Sequence, residues 1–482
     1  MRARASTLRV AQALGIAAAA ALCLAGCVMG PNYKGPPTVA PDGHAFRRAD
    51  ATMPPSEPVA RWWKSLADPE LDRLIEAALA MSPTVQSAEA RLRQARATLQ
   101  GQRANALPTS GASAAYVRTR NLTSLLGSGS SSGPTGGALN VYVAGFDATW
   151  ELDLFGANAR AVEAAADALQ ASQASLADVE VSLTAEVAQA YVQLRDTQRQ
   201  LALTQRNIDI EARILHLYEL RRAGGTASEL DVARVTNQLD TTRSTLGPLR
   251  AAVAVQLDRI AVLTGRAPGT LDSELGGAQA LPPPPTRVAI GDPSALLRRR
   301  PDIVAAERTL AERTASVGQS VAASFPKLNL LGEVGFASLA PETLLDAANF
   351  SYVLAPVLQW NPWDFGRNRA RIGAARAVRD QAEADYRSTV LAALDDAEDS
   401  LARYGEQRDT VTDLARAQAS AEKGYTLTDI RLRGGTADTT DVLDADSRRI
   451  QAELAYSRAL AELTVDYIAL QKSLGLGWVD AE

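Results

Sequence analysis

The residues best placed to act on ions are four charged side chains that follow two glycine-rich turns. Asp441 and Asp444 lie three positions apart and therefore share one face of a helix. Asp231 and Arg234 occupy the matching positions 210 residues earlier. Acidic residues near a helix start can simply complement the helix dipole. If several copies surrounded an axis, however, the aspartates would form acidic rings that attract cations and raise one another's pKa.

Residue types that carry out catalysis are scarce in this sequence. The two histidines are His44, in a proline-rich segment, and His216, in a long helical pattern, and neither has a ligand set at metal-binding spacing. No G-x-S-x-G, P-loop or H-E-x-x-H motif occurs. We therefore predict that the protein is not an enzyme and binds neither a metal nor a dissociable cofactor.

The glycine-rich turns belong to an internal repeat. At an offset of 210, Gly224, Gly225, Thr226, Ala227, Asp231 and Val232 match Gly434, Gly435, Thr436, Ala437, Asp441 and Val442. Nearer the N-terminus the offset is 218, as between Pro108 and Pro326, because the first repeat has a longer Gly/Ser-rich loop at 127–137. Such a self-match indicates two copies of one structural unit. Each repeat reads as a medium helix, a strand pair, a very long helix, a glycine turn and a returning helix.

The long helices are predicted at 157–222 and 368–433, two stretches without proline. At 1.5 Å per residue each would span roughly 100 Å, far beyond an ordinary globular domain. Apolar residues repeat every seven positions in both, which predicts coiled-coil packing. These residues are Val187, Leu194, Leu201, Ile208 and Leu215 in the first helix, and Val390, Ala397, Tyr404, Val411, Tyr425 and Leu432 in the second. Pro248 is expected to kink the first return helix.

Between the medium and long helices, alternation replaces the helical period. Residues 141–154 and 327–336 alternate apolar and polar side chains, with aromatic residues near the ends. This pattern fits a transmembrane barrel, although a half-buried soluble sheet shows the same alternation. Four strands per chain are too few to close a barrel, and open edges are not tolerated in lipid. The barrel interpretation therefore requires several copies of the chain.

The N-terminus predicts export and lipid attachment. Residues 1–26 carry three arginines and then an apolar run, which is typical of a secretory signal. The run ends in Leu24-Ala25-Gly26-Cys27, which resembles a bacterial lipobox, so we expect Cys27 to carry a covalent lipid and to begin the mature chain. An uncleaved transmembrane anchor is the alternative, but the run is short for one. Without the signal, 47 basic residues face 55 acidic ones, and the net charge of −8 argues against nucleic acid as a partner.

These features together resemble the outer-membrane efflux proteins of the TolC type, in their NodT-like lipoprotein branch. The resemblance runs from Cys27 to about Gly477. It is carried by Trp62-Trp63 with Asp68-Pro69, by the Phe155-Gly156 and Phe365-Gly366 turns, by the sequence LRRRPD at 297–302, and by the two glycine turns. The expected division is a signal (1–26), a lipidated proline-rich strap (27–60), a first repeat (61–280), a proline linker (281–286) and a second repeat (287–482).

The resemblance implies a mixed α and β fold, a homotrimer, and a shared twelve-strand transmembrane barrel joined to a long periplasmic α-barrel. It implies an exit duct in the outer membrane for drugs or other small toxic compounds, supplied by a periplasmic adaptor and an inner-membrane pump of the RND type. Asp441 and Asp444, with Asp231 and Arg234, would form the periplasmic gate. Gly224, Gly225, Thr226, Gly434, Gly435 and Thr436 would meet the adaptor.

Two questions stay open at this level. A protein-secretion exit channel shares the same fold, and a periplasmic coiled-coil lipoprotein without a pore is a further alternative. The gate is also unusual, because Leu432 and Ala437 stand where studied family channels carry a latching tyrosine and arginine. We therefore expect Arg234 or Arg431 to pair with an aspartate of the neighbouring hairpin.

Overall fold

The computed structural model describes residues 28–39, 45–50, 53–56, 59–120 and 138–478. Cys27 and the Gly/Ser-rich loop at 127–137 lie outside these ranges. The described chain divides into two compact units. The first combines the N-terminal segment up to Pro37 with Arg93–Ala171 and Glu307–Asp385, and the second combines Thr38–Leu92, Ser172–Ala306 and Tyr386–Glu482. Within the described ranges, no helix has an apolar stretch long enough to cross a bilayer.

The first unit contains an antiparallel sheet of four strands in the order β1-β2-β3-β4. The strands are β1 (Thr109–Arg120), β2 (Ala138–Leu152), β3 (Lys327–Ser338) and β4 (Phe350–Gln359). The predicted strands at 141–154 and 327–336 correspond to β2 and β3, with each end within three residues of its predicted position. Because β1 and β4 have a partner on one side only, the sheet has two open edges.

Ten α-helices complete the described chain. They are α1 (Pro69–Met81), α2 (Pro83–Ala104), α3 (Ala157–Ala223), α4 (Glu229–Ser244), α5 (Leu246–Leu263), α6 (Asp272–Leu275), α7 (Pro293–Arg299), α8 (Pro301–Ala322), α9 (Arg367–Arg433) and α10 (Thr439–Ser473). The two long helices, α3 and α9, have 67 residues each and match the predicted ranges to within one residue.

The heptad positions of the long helices pack as predicted in the second unit. Val187, Leu194, Val390 and Ala397 are fully buried, and Tyr404 is nearly so. Toward the turns the same positions become half-buried, as at Leu215 and Leu432. The seven-residue spacing therefore identified the packed face of each helix.

The break in the first return helix lies just before Pro248. The helix α4 ends at Ser244 and α5 begins at Leu246, which places Pro248 in the first turn of α5. Proline lacks the N–H that would bond to the carbonyl four residues earlier, which belongs to Ser244, but a first-turn residue needs no such bond. The chain therefore starts a new helix rather than bending an existing one.

The tryptophan and aspartate motif near the start of the fold anchors the core of the second unit. Trp62 and Trp63 are buried and pack edge to face with ring centroids 5.8 Å apart. Asp68 caps α1 by accepting the backbone N–H groups of Glu70 and Leu71. Its other carboxylate oxygen accepts the Tyr191 hydroxyl at 2.7 Å, which connects the cap to α3.

Arg300, inside the LRRRPD sequence, joins three helices of the second unit. It donates to both oxygens of Asp302 at 3.0 and 2.7 Å, to Asp396 of α9 at 3.2 Å, and to the Ser473 carbonyl of α10 at 2.9 Å. Burial opposes the charge on Arg300, but Asp302 and Asp396 outweigh it and raise the pKa of the guanidinium. The motif therefore has a structural role where α7 meets α8.

Candidate functional site: the two glycine turns

The two glycine turns end the long helices in the same way. In the first turn, Thr226 N–H donates to the Arg221 carbonyl at 2.8 Å and Gly225 N–H donates to the Arg222 carbonyl at 3.0 Å. Gly225 has a φ of 75°, the left-handed conformation that this helix ending requires. In the second turn, Thr436 and Gly435 make the equivalent bonds, and Gly435 has a φ of 69°. The glycines thus have a definite backbone role at both turns.

A capping box begins the helix that follows each turn. Ser228 caps α4, and the Asp231 carboxylate accepts the Ser228 backbone N–H at 3.0 Å in return. Asp438 caps α10, and the Asp441 carboxylate accepts the Asp438 backbone N–H at 3.0 Å. Each arrangement satisfies backbone N–H groups that a helix start leaves without partners. Asp231 and Asp441, both predicted as gate residues, are therefore also structural residues of their turns.

Asp444 lies about one helical turn beyond Asp441 and takes no part in the capping box. Partial desolvation of its carboxyl raises the pKa of Asp444; the Arg448 cation opposes this effect, and the negative charges of Asp441 and Asp438 add to it. Asp441 and Asp444 are both exposed. The structure therefore brings these two predicted gate carboxylates together on one exposed helix face.

One ion pair joins the two turns within a single chain, and the sequence did not predict it. Arg221 Nη2 donates to Asp438 Oδ2 at 2.5 Å across 217 residues of chain. The hydrogen bond from Arg221 is the main cause that lowers the pKa of Asp438. The reverse pair cannot form. The residue that matches Arg221 is Arg431, but the residue that matches Asp438 is Ser228, which has no carboxylate.

Arg431 and Arg234, which were predicted to pair with a neighbouring hairpin, interact with residues of their own hairpin in the single chain. Arg431 Nη2 donates to the Thr436 carbonyl of its own turn at 3.0 Å. Arg234 acts on Asp231 of its own helix, where its charge helps to lower the pKa of that carboxyl after the Ser228 hydrogen bonds. Within one chain, the ion pair that joins the two turns is made by Arg221. A bond from Arg234 or Arg431 to an aspartate of the neighbouring hairpin stays a prediction, as does the gate role of the whole group.

A second candidate site holds the segment that follows the predicted lipid position. Arg160, which is 2% exposed, donates to the carbonyls of Met29 and Gly30 at 3.1 and 3.5 Å and to Asn32 Oδ1 at 2.5 Å. Met29 N–H donates to the Phe155 carbonyl at 3.2 Å. We call this arrangement the strap clamp.

Glycines make the strap clamp possible. A Cβ on Gly30 would lie 2.4 Å from the Gly318 backbone, and a Cβ on Gly318 would lie 2.8 Å from Arg160 Nε. A Cβ on Gly156 would lie 2.8 Å from the Val28 backbone. Because these three residues have no Cβ, the backbone of the strap can lie directly against α8 and against the turn before α3.

The part of the chain that the structure describes offers no cluster of three or more His, Cys, Asp or Glu side chains able to hold a metal ion. Its distinguishing features are an open four-stranded sheet, two 67-residue helices, and one capped glycine turn in each of two repeats. This combination defines the class of outer-membrane channels in which strands and long helices come from a duplicated unit.

Comparison with known proteins identifies the family. Residues 74–266 and 293–476 match the family described as "Outer membrane efflux protein", and the chain belongs to that family. It is 30% identical to the outer membrane protein OprJ of Pseudomonas aeruginosa, over 95% of this chain and 94% of OprJ. It is 31% identical to the pyoverdine export outer membrane protein OpmQ of the same species, over 87% and 88%.

Two further relatives and one solved structure support the same assignment. Proteins of Pseudomonas putida named as the outer membrane proteins of a toluene efflux pump (TtgF) and of an antibiotic efflux pump (ArpC) are each 28% identical over about the whole chain. The structure of the outer-membrane channel OprN superposes with a TM-score of 0.84 at 34% identity, covering 94% of this chain and 100% of that one.

These findings confirm the main predictions from the sequence. The chain has the TolC-type fold, with four strands per chain and an internal repeat. It is an outer-membrane efflux channel component that spans the outer membrane and extends into the periplasm. The family is one of transport channels rather than enzymes. The boundaries of the five predicted segments stay a prediction.

Proposed function

We propose that three copies of this chain form one exit duct, which receives small toxic compounds from a periplasmic adaptor and an inner-membrane pump of the RND type. The observation that carries the proposal is the open four-stranded sheet. Backbone groups at a free strand edge cannot be satisfied in lipid, so a membrane-spanning sheet must close into a barrel. Three copies would supply twelve strands, and no copy would retain an open edge.

The exposed surface of the sheet supports its position in a membrane. Large apolar side chains face outward from it without cover, among them Phe146, Tyr352, Leu354 and Leu358, which are 64% to 77% exposed. A water-facing sheet would not leave such a surface uncovered. The names of the relatives, which refer to toluene, antibiotics and pyoverdine, support small molecules as the cargo.

Purified protein tests this proposal directly. Native mass spectrometry in detergent should give a trimer, and planar bilayers should show discrete single-channel conductance. A protein that stays monomeric, or a trimer that never conducts, would refute the duct. Deleting the gene should sensitise the cell to compounds that the pump exports, and secretion of proteins should stay unchanged.

The exposed turns support docking of an adaptor. Thr226 and Thr436 lie at the exposed ends of the two hairpins, and their backbones are already fixed by the helix endings. We expect Thr226→Trp and Thr436→Trp to leave trimer formation intact but to abolish drug resistance. Resistance equal to that of the unmodified protein would exclude the turns as the contact surface.

We also propose that Cys27 carries a covalent lipid. The strap clamp supports this, because Val28 lies against the Phe155–Gly156 turn that follows β2. A lipid on the preceding residue would start beside the end of a membrane strand. Metabolic labelling with an alkynyl fatty acid should mark the protein, and the variant Cys27→Ala should lose the label. Label retained in that variant would place the lipid elsewhere.

A further inference from the structure

The internal repeat extends through the sheet in an unbroken register. Within the first hairpin, Thr109 pairs with Thr149, and within the second, Lys327 pairs with Gln359. Adding 218 to Thr109 gives Lys327, and adding 210 to Thr149 gives Gln359. The two offsets read from the sequence therefore describe how the first hairpin maps onto the second, residue by residue.

Two tryptophans confirm this mapping at the base of the strands. Trp150 Nε1 donates to the Ala106 carbonyl at 3.0 Å, and Trp360 Nε1 donates to the Ser324 carbonyl at 3.3 Å. The tryptophans differ by 210 and the acceptors by 218. The hairpins thus sit on their supporting helices in the same way.

The joint between the repeats lies in the middle of the sheet, where β2 meets β3. Trp150 pairs with Leu330 across this joint. Just beyond the strand, the Phe155 ring stacks on Phe325 with centroids 4.8 Å apart. The joint therefore combines strand pairing with an aromatic contact at the turn into the long helix.

The two outer edges of the sheet carry the residues equivalent to those of the inner joint, but within one chain these residues do not contact each other. Phe365, which matches Phe155, is 95% exposed, and Leu107, which matches Phe325, is 64% exposed. A cavity of about 650 Å³ lies between the start of β3 and the turn after β4, lined by Trp360, Trp363 and Arg367 among others. Phe365 also has a φ of 54°, whereas Phe155 is not in the left-handed region. An exposed aromatic ring on such a backbone indicates a surface that is completed by a partner.

We propose that β4 of one chain pairs with β1 of a second copy in the register that the repeat dictates, which places Trp360 opposite Ala112 of the second copy. Applying the offsets 210 and 218 to the pair Trp150 and Leu330 gives this result. Phe365 then packs on Leu107 of the second copy, as Phe155 packs on Phe325. The inference rests on the proposed assembly of several copies, and it adds the residues and the register of their contact.

The joint between copies differs from the joint within a chain in one respect. Val28 covers Gly156 at the inner joint, whereas nothing lies within 4 Å of a Cβ on Gly366 at the outer one. Arg160, which clamps the strap, is matched by Ala370. Within a single chain, the outer joint therefore offers a strand edge and the Phe365 ring, and the strap of that chain does not cover it.

Disulfide formation tests the register. The proposed pairing places Leu358 opposite Ala114 of the second copy and Val357 opposite Ala115. In an antiparallel pair, neighbouring positions alternate between wide and narrow spacing, so one of these two pairs suits a disulfide. The double variants Leu358→Cys with Ala114→Cys, and Val357→Cys with Ala115→Cys, change side chains at the strand edges. Within one chain β1 and β4 are separated by two strands, about 14 Å, so a disulfide can form only between copies.

The control variant is Leu358→Cys with Tyr116→Cys. It keeps both thiols on one face but moves one by two residues, to a diagonal distance of about 7–8 Å, which is too long for a disulfide. We expect one of the two proposed pairs to give at least about tenfold more covalent trimer than the control on non-reducing gels. Each variant is compared after native mass spectrometry has established its assembly.

The outcomes separate this inference from the proposed function. If trimers form and the control pair links better than both proposed pairs, the register is wrong although the assembly is right. If trimers form and none of the pairs links, β4 does not meet β1 of a second copy. If no trimer forms in the unmodified protein, the proposed function itself fails.

Discussion

Removing the arginine of the strap clamp should release the N-terminal segment from the fold. The variant Arg160→Ala deletes the donor of three hydrogen bonds to Met29, Gly30 and Asn32. Hydrogen bonds to a charged group contribute about 1.5–3 kcal/mol each when measured singly, so the two shorter bonds, to Met29 and Asn32, together contribute about 3–6 kcal/mol. Because Tyr33 retains its bond to Glu307, we expect the lower value, about 3 kcal/mol, for the opening of the strap.

Trypsin provides the assay, since Lys34 is exposed in the middle of the strap. When opening is fast compared with cleavage, the rate follows the population of the open form. A change of about 3 kcal/mol then predicts cleavage after Lys34 about 100-fold faster, at about tenfold per 1.4 kcal/mol. Mass spectrometry of the released peptide identifies the site. The variant Arg160→Lys replaces the forked guanidinium by a single ammonium group. Its rate of cleavage after Lys34 should lie between the rates of Arg160→Ala and the unmodified protein.

The matched control is Arg369→Ala, which removes an exposed arginine near the start of α9. Its cleavage rate after Lys34 should equal that of the unmodified protein. If Arg160→Ala behaves like this control, the clamp does not hold the strap. If instead cleavage becomes faster at all tryptic sites, the variant has lost its fold and the clamp has a wider role than we infer.

Three further predictions concern the turns and the core. Asp441→Ala combined with Asp444→Ala should change single-channel conductance and reduce cation preference, because the variant removes two neighbouring carboxylates; an unchanged conductance would refute the gate. Gly225→Ala should destabilise its turn by about 1–2 kcal/mol through the positive φ, measured by hydrogen exchange of the Thr226 amide, whereas Gly224→Ala, whose Cβ meets only ordinary contacts, should not. Burial raises the pKa of Asp466 to about 6, with a further contribution from Glu462; the contribution of Asp466 to stability should therefore fall as pH rises from about 4 to about 6, and Asp466→Asn should make the fall of stability with pH less steep in urea titrations.

The sign of the last prediction follows from proton binding. The folded protein holds the Asp466 proton to a higher pH than the unfolded chain, whose pKa is near 3.8. Folding is therefore favoured where the proton is bound, below the lower pKa, and loses that contribution as pH rises through the folded value. If Asp466→Asn instead made the fall of stability with pH steeper, the buried carboxylate would have to be stabilised by a partner.

The sequence predicted most of what depends on local pattern. Proline-free stretches with a seven-residue period located α3 and α9 to within one residue, because helix length and packed face follow from nearby residues alone. Glycine at 225 and 435 located both turns, since few other residues adopt the required backbone. The offsets of 210 and 218 identified the two hairpins as equivalent, whereas the pairing of their residues came from the structure.

The tertiary structure decided which distant residues meet. Arg221 and Asp438 are 217 residues apart and their equivalents in the other repeat differ, so no periodicity links them. Arg160 looks like one more helix arginine in the sequence, and only folding buries it against the strap. Hydrogen bonds of this kind arise from the approach of separate segments in space. The local sequence pattern determines where the helices lie and which of their faces pack. Which distant side chains form hydrogen bonds is decided only when the helices and the strap come together in the folded protein.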